Sequence, residues 1–181
     1  MTNKRILEPA TTLRPLPVVL LSCRDTNGEN NIITLAYAGI MCARPPVVTV
    51  GIRPATHSHG IICRTREFVI NLPGEEHLEA IQLCGTKSGR QLDKFAASGF
   101  TPVEASRIKA PLIAECIISF ECTVRHVIGA GSHDVFMAEV LAVQVDQERC
   151  DERGWPLSGE HRPVMLNLGG YYGLGESLGS R

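Results

Sequence analysis

Ile113-Ala114-Glu115-Cys116-Ile117-Ile118-Ser119-Phe120-Glu121-Cys122-Thr123-Val124-Arg125-His126-Val127, then Gly129-Ala130-Gly131-Ser132-His133, then Val135-Phe136-Met137-Ala138-Glu139-Val140-Leu141-Ala142-Val143-Gln144-Val145: this stretch decides the fold. Cys116, Ile118, Phe120, Cys122 and Val124 alternate with Ile117, Ser119, Glu121 and Thr123, the period-two pattern of a strand with one partly solvated face. The Gly-rich connection breaks the pattern, and a second apolar run follows, so the two strands form a hairpin. Moving outward, Glu67 to Leu72 is a strand stopped by Pro73-Gly74, and Val47 to Ile52 is continuous enough in β-branched residues to be buried on both faces. Leu16 to Cys23 and Ile32 to Met41 flank the turn cluster Asp25 to Asn30 and form another hairpin. A short helix over 57–64 follows Thr56, its N-cap, and 75–98 reads as helical. Residues 1–12 form an arm, and a Gly-rich tail ends the chain. Hairpins with inserted helices and no regular β-α alternation describe a mainly β chain, one antiparallel barrel domain over 1–181.

With 44 % hydrophobic and 20 % charged residues, the chain can bury a sizeable core. A net charge of −1 argues against a nucleic-acid partner. No apolar run approaches the ~18 residues of a membrane span, and no secretory h-region is visible, so no membrane and a cytoplasmic location are expected. Seven cysteines at irregular spacing, without a C-x-x-C pair, read as reduced thiols packed among apolar residues. The scattered histidines make no metal-ligand cluster, and no metal is expected. No Gly-x-Ser-x-Gly, Walker loop or dinucleotide fingerprint occurs.

Three polar segments punctuate the apolar runs. Asn30 to Thr34 lies at a strand start, Thr56-His57-Ser58-His59 opens a helix, and Lys87-Ser88-Gly89-Arg90 with Lys94 reads as the opening of another. Helix starts and three cations suit a phosphate, and polar strand ends suit a ring with carbonyl and imide edges. A capped surface helix with solvated charges accounts for the Lys87 to Lys94 segment equally well.

The chain resembles the flavin reductase-like family of split-barrel FMN-binding proteins, to which flavoredoxins belong. Pro17-Val18-Val19-Leu20-Leu21-Ser22, Asn31-Ile32 with Thr34, Pro45-Pro46-Val47, His57-Ser58, Glu67-Phe68-Val69-Ile70-Asn71-Leu72-Pro73, Cys84-Gly85 with Ser88-Gly89, Asp93-Lys94-Phe95, Ala110-Pro111 and Glu139-Val140 come in the family's order, from about residue 12 to residue 176. The resemblance implies a homodimer of six-stranded antiparallel split barrels with FMN near the dimer interface. Asn31, Ile32, Thr34 and Ala36 would line the isoalloxazine and ribityl chain. Thr56, Ser58 and His59 would meet the ribityl hydroxyls or phosphate, with Lys87, Ser88 and Gly89 closing the phosphate end. Cys84 lies beside that end, with packing as its main role. Asp93 and Lys94 pair on the helix or hold the loop. Tyr171 covers the flavin or packs the C-terminus.

The family's Gly-Asp-His hairpin element stands here as Gly131-Ser132-His133, which keeps the imidazole expected near the nicotinamide and loses the acid. The implied activity is NAD(P)H-dependent reduction of flavin, with electrons passing to free flavin, a metal complex or a partner redox protein. A flavoredoxin-like carrier and a non-catalytic FMN-binding protein are the alternatives.

Overall fold

The computed structural model describes residues 3–157, 159–177 and 179. Its main sheet contains strands β2 (Val19–Arg24), β3 (Asn30–Leu35), β4 (Ala38–Ala43), β5 (Pro46–Ile52), β6 (Glu67–Leu72), β9 (Ile118–Gly129) and β10 (Asp134–Val145). All pairings are antiparallel, in the order β3-β2-β6-β9-β10-β5-β4. The two edge strands are separated in sequence only by Ala36 and Tyr37, a gap the chain spans in at most about 11 Å. The sheet therefore curls on itself, and the Gly51 N–H donates to the Tyr37 carbonyl at 2.8 Å. The sheet has seven strands where six were expected, because the run 32–41 breaks at Ala36–Tyr37 and continues as a separate strand on β5.

Strand β2 shows why the first apolar run has no alternation. Val19, Leu21 and Cys23 point into the barrel with Val50, Ile52, Phe68 and Phe136, while Leu20, with Val18 just before the strand, packs outward against Ile32, Ile81, Phe95 and Phe100. Each fully buried aliphatic side chain here contributes roughly 1.5–3 kcal/mol. Strand β5 differs from expectation: Val50 and Ile52 are buried inward, but the intervening residues are only half-buried, since its outer face meets little beyond Tyr37. The supposedly solvated face of β9 is covered instead. Glu121 and Ser119 are buried, and the Glu121 carboxylate accepts from Ser106 N and Oγ, Arg107 N and Gln144 Nε2 at 2.6–3.0 Å. Those donors hold its pKa down against burial and fasten the 104–110 segment over the strand.

Helix α1 (His57–Thr65) starts where expected, with the Thr56 side chain accepting from His59 N. Residues 75–98 form a 3₁₀ turn (Glu75–His77), α2 (Leu78–Thr86) and α3 (Lys94–Ser98), the last capped by Asp93. Lys87 to Asp93 is thus a loop after a helix end, not the opening of a helix. The tail is structured: β11 (Val164–Asn167) and β12 (Gly170–Gly173) form a hairpin that pairs with β1 (Leu16–Pro17). Strands β7 (Pro102–Val103) and β8 (Leu112–Ile113) make a small separate pair, so Leu112–Ile113 does not belong to the long hairpin. Among the described residues no helix is long and apolar enough to cross a membrane.

Candidate functional site

Two adjoining cavities run from the barrel closure to the loop after α2. The first, about 480 Å³, is lined by Thr34, Ala36, Tyr37, Gly51, His133 and Arg14 among others. The second, about 310 Å³, is lined by Asn31, His57, Ser58, Lys87, Ser88 and Gly89 among others. Ile33, Arg53, Thr56 and Gly85 border both, so they form one trough. Neither lining contains a carboxylate, although acids slightly outnumber cations in the chain as a whole.

The second cavity gathers donors and positive charge. The α1 start leaves the His57 and Ser58 N–H groups without intrahelical partners, with the dipole's positive end toward the cavity. The Ser88 hydroxyl accepts from Arg90 N at 3.3 Å, which leaves its own proton to donate. The side chains of Lys87 and Arg53 form no ion pair or hydrogen bond among the described residues, so their charge is uncompensated. Burial, and then the neighbouring Arg90, hold the His57 pKa below the ordinary imidazole value, which makes this ring neutral at pH 7. Arg90 Nη1 donates to the Ala55 carbonyl at 3.2 Å and ties the loop to the turn before α1. Gly89 lies so close to Asn31 that a Cβ on it would come within 2.7 Å of Asn31 Cγ and closer still to Oδ1. Asn31 is itself pinned, donating from Nδ2 to Ser58 Oγ at 2.7 Å.

Lys94 plays another part than a phosphate cation. Its buried ammonium donates to the Ile32 and Cys84 carbonyls, both at 2.8 Å. It closes the C-terminal end of α2 onto β3, and burial lowers its pKa. With Asp93 capping α3, this pair holds the loop in place.

These features sit in a barrel with known relatives. The flavin reductase like domain matches residues 13–175. The chain belongs to the flavin reductase-like family. Flavoredoxin of Desulfovibrio vulgaris (Miyazaki F) superposes with a TM-score of 0.89 at 31 % identity, covering 98 % of this chain and 96 % of that one. The flavoredoxin of Methanosarcina acetivorans shares the fold, with a TM-score of 0.90 at 24 % identity over 99 % and 95 % of the two chains. A curated relative, the NADH:riboflavin 5'-phosphate oxidoreductase of Streptomyces pristinaespiralis, is 22 % identical over 148 residues, 82 % of this chain and 81 % of that protein.

In this flavin reductase-like chain the trough gathers Asn31, Thr34, Ala36, Thr56, Ser58, Cys84, Lys87, Ser88, Gly89 and His133 from the sequence-derived set. Their hydroxyls are not equally free. Thr34 Oγ1 donates to the Ile81 carbonyl at 2.6 Å, and Thr56 Oγ1 donates to the Arg53 carbonyl while capping α1. Cys84 is buried, and burial pushes its thiol pKa up, which favours packing over reactivity.

Three expected residues lie outside the trough. Ile32 turns into the outer core, the opposite face of β3 from Asn31 and Ile33. His59 bonds the Asp134 carboxylate at 2.8 Å through Nε2 and meets the edge of Phe136, so it joins α1 to β10. Tyr171 packs on the outer core, paired in register with Leu166. Conversely, Arg14, Tyr37, Arg53 and His57 line the trough without having been singled out individually. Tyr37 packs at a tilt against His133, 5.1 Å between ring centroids, and Ser132 Oγ lies 2.9 Å from His133 Nδ1. The residue at the place of the lost acid thus touches the same imidazole.

Proposed function

We propose that this chain, throughout its length one domain with residues 1–12 as an arm, is an FMN-binding oxidoreductase that works as a homodimer in the cytoplasm. The reading rests on one observation above all: a carboxylate-free trough in a flavin reductase-like barrel, with a capped helix start and the free cations Lys87 and Arg53 at one end. The donor set fits a phosphate monoester there. Asn31, Ser58, Lys87, Ser88 and Gly89 would hold that end, and Ile33, Thr34, Ala36 and the Tyr37–His133 pair would flank the ring. Bound FMN would supply acceptance of two electrons from NAD(P)H and their release to free flavin, a metal complex or a partner redox protein. The protein's own part is placement: α1 and the loop fix the anion, Lys94 keeps that loop against β3, and His133 with Tyr37 borders the opening where a nicotinamide would approach.

An electron carrier that takes no electrons from NAD(P)H is the second reading, favoured by the 31 % identity to a flavoredoxin over nearly the full chain. An anaerobic absorbance titration of the FMN-loaded protein with NADH and then NADPH separates the two. Bleaching of the oxidised flavin band within seconds is expected. A yellow protein untouched by either donor would refute the reductase and leave the carrier.

A further inference from the structure

Arg14 stands between the N-terminal arm and β1 and lines the first cavity. Its Nη1 is shut off from solvent and has no hydrogen-bond partner among the described residues. No ion pair to this guanidinium exists among the described residues, and no carboxylate lines the cavity it enters. A buried donor left without an acceptor is destabilising, the more so when it is charged. A cation held in this way needs an acceptor for most of the protein's lifetime. A transient electron donor or acceptor would leave the guanidinium bare between turnovers, whereas a resident cofactor would not.

Resting on the FMN reading above, we propose that Arg14 is the positioning residue for the N1 and C2-carbonyl edge of the bound ring, where it favours the reduced cofactor over the oxidised one. The division of the trough supports this. The phosphate end is supplied by α1 and the Lys87–Gly89 loop, so the first cavity falls to the ring, and a planar fork of donors suits the adjacent acceptors N1 and the C2 carbonyl oxygen. Negative charge on the ring's pyrimidine part grows on reduction, so a fixed guanidinium there stabilises the reduced form selectively. The charge comes from the segment that leads into β1 rather than from the barrel wall, which makes that segment part of the redox site.

The test compares wild type, Arg14→Gln and Arg14→Lys. Oxidised FMN affinity is read by fluorescence quenching and the midpoint potential by anaerobic spectroelectrochemical titration. Arg14→Gln is expected to shift the preference for reduced over oxidised FMN about tenfold, the size of one charged hydrogen bond, equivalent to ~30 mV downward for a two-electron couple. Arg14→Lys, which retains the charge, should recover most of that shift. An unchanged potential in Arg14→Gln with FMN still bound overturns the proposal and leaves water or another copy of the chain as the guanidinium's partner. Equal weakening of both redox forms also overturns it, as a packing role. Failure of the wild type to bind FMN would instead overturn the cofactor reading itself, before any substitution is compared.

Discussion

Replacing Gly89 with Ala probes the narrowest point of the trough. The backbone at Gly89 does not occupy the left-handed region, so alanine is conformationally admissible there. The obstacle is the Asn31 carboxamide, together with His57 Cδ2 at 3.1 Å from the added carbon. The His57 ring can give by a few tenths of an ångström. Asn31 is only 3 % exposed and held by its 2.7 Å bond to Ser58, so either that bond breaks or the loop moves off β3. Breaking it leaves a buried amide and a buried hydroxyl short of a partner, a loss of about 1–3 kcal/mol. Chemical denaturation of the cofactor-free protein should show that loss for Gly89→Ala. The same substitution in an Asn31→Ala background, where the obstructing atoms are gone, should be neutral or gain about 0.4–1 kcal/mol from the stiffer unfolded chain. The two sites should therefore couple by about 1–3 kcal/mol or more in the double-mutant cycle. A neutral Gly89→Ala in the parent, or an equal cost in both backgrounds, would refute the close approach of loop and strand.

Three further outcomes are expected. The double substitution Lys87→Ala, Ser88→Ala removes two donors worth roughly 1.5–3 kcal/mol each to a phosphate, so FMN titration should show at least ~100-fold weaker binding; unchanged affinity would move the phosphate elsewhere. His133→Ala should slow reduction by NAD(P)H in stopped-flow experiments more than it weakens FMN binding, and equal loss of both would remove His133 from the donor side. Burial lowers the His161 pKa, and both its ring nitrogens are enclosed without partners among the described residues. The unfolded chain therefore takes up a proton near pH 6.5 that the folded state refuses, and stability, level above that pH, falls as the pH drops below it. His161→Phe should flatten denaturation midpoints between pH 7 and 5, though not fully, because His57 acts in the same direction; an unaltered slope would show that the His161 pKa is not depressed.

The barrel was legible in the sequence where one local rule governed. Glu67 to Leu72, the long hairpin and the Thr56 cap follow from periodicity, turn residues and capping chemistry. The cationic end of the trough was legible too, because cations, hydroxyls and glycine within a few residues are a local signal. Features set by distant partners were not. Nothing near Lys94 announces that its ammonium bonds carbonyls of both β3 and α2, and the segment looks like a helix start when its charges are counted as solvated. The burial of Glu121 depends on backbone donors some fifteen residues earlier, invisible to a pattern that assigns acids to water. Ile32 yields its expected place in the trough to Ile33 through the strand's period of two, which could have been applied to this segment. Arg14 carried no signal beyond its charge, and its place depends on β1 pairing with the tail.

The splice at Ala36 and Tyr37 has a consequence for how the protein matures. The β2–β3, β4–β5 and β9–β10 hairpins close over short loops and can form early, whereas β2–β6, β6–β9 and β5–β10 join segments far apart in the chain. The ring is complete only when all six pairings coexist, and until then the walls of the trough, drawn from Arg14 before β1, β3, β5, α1, the loop after α2 and the tip of the β9–β10 hairpin, are not assembled around one space. A ligand seated there acts after closure and not as a template for it. It lowers the rate at which the finished ring reopens, so cofactor loading should prolong the lifetime of the native protein while leaving its rate of formation unchanged.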